Sequence, residues 1–171
     1  MFILKILLGI IIILITTHLG MLKSKKLHDR EYVLREMITF LIGLQNEIKY
    51  CLSLLPNAYE SVRMGLKTDL KYAIGNISLD MLNKDEYTVD RSIVENISEI
   101  DGLADYDKNV IISTLKNLGK SNVEGQINII QNSIATLENQ VKEATEIKIK
   151  NSRMYRTIGM LSGLIIVVLF V

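Results

Sequence analysis

Apolar positions along the chain fall into two continuous runs and one long periodic stretch. Phe2 to Leu22 is broken only by Lys5 and the weakly polar Thr16, Thr17 and His18. Thr157 to Val171 is a second run, fifteen residues without a charge. Crossing a hydrocarbon core takes roughly 20 helical residues. The first run meets that length, and the second meets it once Met154, Tyr155 and a snorkelling Arg156 are added. The pattern predicts an N-terminal transmembrane anchor (1–22), a C-terminal transmembrane segment (157–171) and a helical bundle over 23–156. No small-x-small cleavage site comes after the first run, which points to an uncleaved anchor rather than a signal peptide.

Between the runs the spacing is helical. Leu34, Leu41, Ile48 and Leu55 recur every seven residues, and Met37, Leu44 and Cys51 come three later, which is an a/d seam. This helix is predicted from near Asp29 to just before Pro56, which cannot sit in a helix interior. Asn57 reads as the cap of a short second helix, with Glu60 as its reciprocal partner. A third opens at Thr68 or Asp69 and carries Leu70, Ile74, Ile77 and Met81. A fourth carries Val89, Ile93, Val94, Ile97 and Ile100, with Gly102 as the residue after its C-cap. A fifth starts at Asp105 and stops at Gly119. Ser121 and Glu124 form a capping box for the last helix, whose stripe is Ile127, Ile130, Ile134, Leu137, Val141 and Ala144. The expected fold is all-α: an antiparallel bundle of about six helices with long first and last helices, flanked by two transmembrane helices. The two long helices would pair as a stalk, and the four shorter ones would cap its far end.

Charge gives the orientation. Lys23, Lys25, Lys26 and Arg30 come just after the first anchor, and Lys148, Lys150, Arg153 and Arg156 precede the second. Basic residues beside membrane spans stay in the cytoplasm, so the central domain is expected there. Between Asp80 and Asp107 stand nine acids and two bases, a block expected to face away from the membrane. Net charge is only +1, which gives no reason to expect nucleic acid as a partner.

Reactive chemistry is sparse. Gly119-Lys120-Ser121 resembles the end of a phosphate-binding loop but lacks the glycine five residues earlier and the preceding strand. His18, His28 and Cys51 do not have metal-ligand spacing. Cys51 falls on the seam as a small core residue, and no base accompanies it for nucleophilic catalysis. Neither a cofactor nor an enzymatic activity is expected. Partner-binding candidates are Glu47 and Tyr50 on the first helix and Glu99, Asp101, Asp105 and Asp107 in the acidic block, which would steer a basic partner. Glu47 alternatively supplies an internal hydrogen bond. Gly159, Ser162 and Gly163 form a small-residue face for packing against another membrane helix, whether the first anchor, another subunit or a second copy.

Both ends of the central domain carry a recognisable pattern. Leu34 to Tyr59 reads LREMITFLIGLQNEIKYCLSLLPNAY. The closing part starts LGKSNVEGQ at Leu118 and ends NSRMYRTIGMLSGLIIVVLFV. These resemble the stage III sporulation protein AB family. Glu47, Ile48 and Tyr50 match its E-I-x-Y, and Leu55, Pro56 and Ala58 match the next segment of its signature. Leu118, Gly119 and Gln126 match its second signature, and Gly159 and Gly163 match the glycines of its closing anchor. The chain departs from the family at Ser53-Leu54, where Thr-Pro is frequent, and at Asn57, where an acid is frequent. The resemblance implies a part of the channel complex between mother cell and forespore, sited in the mother-cell membrane. It implies a cytoplasmic domain similar to the platform protein of type II secretion and type IV pilus machines. It also implies a secretion-type ATPase partner, stage III sporulation protein AA, alongside other membrane subunits. A membrane-tethered signalling or coupling coiled-coil module is the alternative reading.

Overall fold

The computed structural model describes residues 29–83 and 85–170. The anchor at 1–22 and the basic residues at 23–28 lie outside them. Every described element is helical: α1 (29–46), closed by a π-turn at Glu47–Cys51, then α2 (Leu55–Arg63), α3 (Leu70–Asn83), α4 (Glu86–Ser98), α5 (Asp105–Asn117) and α6 (Val123–Phe170). Residues Arg30–Lys142 form one compact unit, and the part of α6 from Glu143 onward belongs to another. Among the described residues, no helix is long and apolar enough to cross a membrane.

The core of the first unit is built on α1. Leu34, Met37, Leu41, Leu44 and Ile48 are buried as the heptads predict, but so are Val33 and Phe40. Those two sit one position before the seam, so the apolar stripe is wider than two helices facing each other can cover. Phe40 meets Tyr59 of α2 edge to face, with ring centroids 5.3 Å apart. Burial pushes the Tyr59 phenol pKa up. The short helices therefore pack along the length of α1, not beyond its far end as expected. Gly43 permits this approach: a Cβ there would lie 2.6 Å from a Val62 methyl.

Boundaries shift where local chemistry overrides the pattern. The heptad ends early because the π-turn adds a residue and rotates the residues beyond it. Cys51 is consequently exposed, not in the core, and Leu55 opens α2. Pro56 lies in the first turn of α2, where its missing N–H costs nothing. Asn57 is therefore inside the helix, and Glu60 pairs with Arg63 at 2.5 Å. Asp85 caps α4, accepting the Thr88 N–H at 2.9 Å, and its bonds to Thr88 hold its carboxyl below the usual range. α4 stops at Ser98 with Glu99 as C-cap. Gly102 (φ 89) turns the α4–α5 loop instead of directly ending the helix. Asn122, not Ser121, caps α6: its Oδ1 accepts the Gly125 N–H at 2.9 Å. On α6 the predicted stripe is buried at Ile130, Leu137, Val141 and Ala144 and half-buried at Ile127 and Ile134. Thr114 Oγ1 and Ser133 Oγ, 2.7 Å apart, tie α5 to α6.

Candidate functional site

Three carboxylates fix the loops of the helical unit. Each leaves α1, or reaches it, as a side chain spanning two elements. Asp107, in the first turn of α5, is fully buried. Its Oδ2 accepts from Arg30 Nε at 2.7 Å and its Oδ1 from Arg30 Nη2 at 2.9 Å. Oδ2 also accepts the Ala104 N–H at 3.0 Å, which closes the first turn of α5. Glu36, buried at mid-α1, accepts the backbone N–H groups of Lys67 at 2.5 Å and Thr68 at 3.0 Å, together with the Thr68 hydroxyl. Glu47 accepts from Ser53 Oγ at 2.8 Å and Ser61 Oγ at 3.1 Å. The Ser53 hydroxyl foremost, and Ser61 after it, lower the Glu47 pKa by stabilising its charged form.

The Glu47 network holds an unusual loop. Leu52 has φ 49 and ψ 33, the left-handed region that glycine normally occupies after a helix. Its N–H bonds to Glu47 O, and the Ser53 N–H reaches the same oxygen at 3.3 Å. Two leucines face solvent as a result: Leu52 is 73% exposed and Leu54 75%. Tyr50, at the end of the π-turn, is also exposed, with Lys49 Nζ 5.1 Å from its ring centre. Beside this loop lies an open groove of about 460 Å³ between the ends of four helices. Leu55, Pro56, Met81, Val89, Ile93 and Leu118 supply its apolar lining. Its rim mixes Glu86 and Asp90 with Lys116 and Lys120. Lys120 Nζ pairs with Glu86 at 2.7 Å, which raises the lysine's pKa. The Gly-Lys-Ser stretch thus supplies a surface ion pair.

The structure separates the predicted candidates. Arg30 and Glu47 are seventeen residues apart on one helical path, roughly 25 Å at 1.5 Å per residue. Glu47 and Tyr50 stand at one end. Glu99, Asp101 and Asp105 are exposed at the other, on the turn that Asp107 fastens to Arg30. The acidic block is therefore not one face: α4 carries Asp85, Glu86 and Asp90 to the loop end and Glu99 onward to the Arg30 end. The Glu99–Asp107 part stands at the Arg30 end of α1. Asp107 is an internal ion-pair partner and offers no docking surface. Glu47 likewise spends its carboxylate internally, as the alternative reading of that residue allowed. Gly159, Ser162 and Gly163 have helical backbone within α6; their packing lies outside what is described. Among the described residues, no group of three or more His, Cys, Asp or Glu could hold a metal ion.

The residue pattern did not single out Arg30 as a structural partner, nor Glu36 or Gly43. Only Glu36 left a visible trace, a carboxylate beside the heptad core at Met37.

The family model for stage III sporulation protein AB matches residues 5–171. The chain belongs to the stage III sporulation protein AB family. It is thus a stage III sporulation protein with an all-helical fold. No curated protein and no solved structure matches it. Within this family member, the motif positions have distinct structural fates. Glu47 and Ile48 belong to the turn that fixes the loop, Tyr50 is presented to solvent, and Ala58 and Tyr59 are buried on α2. In the second signature, Gln126 Oε1 accepts the Gly119 N–H at 3.1 Å and its Nε2 donates to Ser121 O at 3.1 Å, bracing the α5–α6 turn.

Proposed function

We propose that the protein is a non-enzymatic, membrane-anchored assembly platform of the channel complex between mother cell and forespore. Residues 1–22 and 157–171 hold it as a two-pass protein in the mother-cell membrane around the forespore, with the central domain cytoplasmic. The domain couples a secretion-type ATPase, stage III sporulation protein AA, to membrane subunits of the channel. The family and the basic flanks support this siting. The observation that carries the platform reading is the Arg30–Asp107 pair. It locks an exposed acidic turn (Glu99, Asp101, Asp105) to the start of α1, where the chain enters from its basic leader. A rigidly held acidic turn can receive a basic patch and transmit its position along α1.

The mechanism is positional. Complementary charge speeds encounter and sets orientation more than it adds affinity, and the pinned loops keep the receiving surface from yielding under load. The test is binding of the full chain, solubilised in detergent, to the purified ATPase. Changing Glu99, Asp101 and Asp105 together to lysine is expected to weaken binding at least about tenfold, with the wild-type interaction falling as salt rises. Binding unchanged by the triple reversal and insensitive to salt refutes the docking surface.

A further inference from the structure

We propose that the loop end of the helical unit, the Tyr50–Leu54 loop with its groove, is a self-association surface that takes a second copy of this chain. Five exposed apolar side chains stand on the loop or next to groove-lining residues. Tyr50, Leu52 and Leu54 lie on the loop, while Leu82 and Tyr87 adjoin the groove-lining Met81 and Glu86; these five side chains are 61–78% exposed. At roughly 150–250 Å² per large side chain, they offer on the order of 700 Å². A standard interface buries about 800 Å² per partner, so these side chains together with the groove lining are of the size a dimer needs.

The charges favour a copy of the same chain over a partner of one sign. The groove rim carries Glu86 and Asp90 as well as Lys116 and Lys120. A strongly basic or strongly acidic visitor would meet like charge on half of that rim. A two-fold contact is self-complementary, and a copy of this chain brings a rim of the same mixed sign, with Glu86 already paired to Lys120. The loop is also held in advance. Leu52 sits in a backbone region that disfavours leucine, and Glu47, Ser53 and Ser61 keep it there. Strain maintained by surrounding bonds is a mark of functional positions. A loop ordered before contact gives up little entropy on binding. This proposal is independent of the acidic turn, which lies at the opposite end of α1.

Cys51, the chain's single cysteine, is exposed within the loop and serves as the reporter. Membranes containing the full chain are treated with a short bifunctional maleimide. A cross-linked dimer is expected, and it must vanish in Cys51→Ser. Leu52→Asp with Leu54→Asp is expected to lower the dimer yield at least about tenfold. Because that pair could disturb the loop, Leu82→Asp with Tyr87→Asp, on the other side of the groove, is the second variant and should lower it as much while leaving the helical circular-dichroism signal unchanged. Three results overturn the proposal: no dimer dependent on Cys51, a dimer that both double variants leave intact, or cross-linking only to a different protein.

Discussion

Removing the Asp107 carboxylate should come close to unfolding the helical unit. Asp107 has no exposed side-chain surface and Arg30 only 15%, so solvent does little to screen the pair. Breaking a buried pair by deleting one partner costs about 3–5 kcal/mol, since it leaves a charge in a poorly solvated site. Asp107→Ala also removes the acceptor for the Ala104 N–H, worth about 1 kcal/mol as a helix cap. The sum, roughly 4–6 kcal/mol, compares with total stabilities of about 5–15 kcal/mol for ordinary domains. Asp107→Asn keeps an oxygen for the Ala104 N–H and isolates the loss of charge, so it should cost about 1 kcal/mol less than Asp107→Ala. The double change Arg30→Met with Asp107→Leu swaps the pair for apolar groups, and such swaps are neutral or stabilising in several proteins. It should recover most of the single-variant loss, apart from the cap. The assay is urea denaturation of the full chain in detergent, monitored by far-ultraviolet circular dichroism. A cost for Asp107→Ala below about 1 kcal/mol refutes the reasoning. So does a double variant no more stable than Asp107→Ala, because that would place the loss in the cap and the packing.

Other expectations concern the loop and α2. Leu52→Gly relieves a left-handed backbone strain of about 1–2 kcal/mol and loses little burial, so after glycine's entropic cost the melting temperature should rise slightly; a fall means that the Leu52 side chain packs in the isolated chain. Glu47 has a folded pKa lowered by the Ser53 and Ser61 hydroxyls. Its contribution is present above the unfolded value of about 4.3 and lost as pH falls through the lower folded one. The protection factor of the Ser53 amide, its exchange relative to the intrinsic rate at each pH, should therefore fall below about pH 4, and Glu47→Gln should abolish that dependence; a protection factor constant with pH in the wild type contradicts it. Gly43→Ala brings a Cβ to 2.6 Å from Val62. Overpacking at about 1–3 kcal/mol should outweigh the roughly 0.5–1 kcal/mol that alanine gains in a helix, and adding Val62→Ala should turn the loss into a gain by the same denaturation measurement.

What the sequence made legible was what repeats. The α1 seam from Leu34 to Ile48 and the α6 stripe from Ile130 to Ala144 are set by burial period, and both appear where the spacing put them. Helix number and order came from the same signal. The interactions that join helices were hidden because they depend on distance in space. Arg30 and Asp107 are 77 residues apart; one reads as part of a membrane-flanking basic cluster and the other as part of an acidic run. Single-residue phase shifts were hidden too. Nothing in Glu47–Cys51 announces a π-turn, yet that one inserted residue moves Cys51 from the expected core to the surface and makes Leu55 the start of a new helix. Pro56 was ambiguous in the sequence for a physical reason: a first-turn proline begins a helix as readily as a proline ends one.

The divided acidic block shows why contiguity in sequence is a poor guide to a docking face. Its residues span α4, and a thirteen-residue helix carries the chain roughly 20 Å, enough to part its two ends. The block is thereby divided between the two ends. The division changes what the surface can do. The acids at the loop end, Glu86 and Asp90, are matched by Lys120 and Lys116 and leave a rim of both signs. The acids at the Arg30 end, Glu99, Asp101 and Asp105, keep their excess and lie on a turn fastened to the start of α1. A partner drawn by charge thus has one preferred end, a partner drawn by apolar contact has the other, and α1 with its three carboxylate clamps joins the two. If the molecule transmits a push or a rotation, the part under greatest demand is not an exposed residue but Asp107, because its carboxylate fastens the charged turn to the helix that would carry the motion.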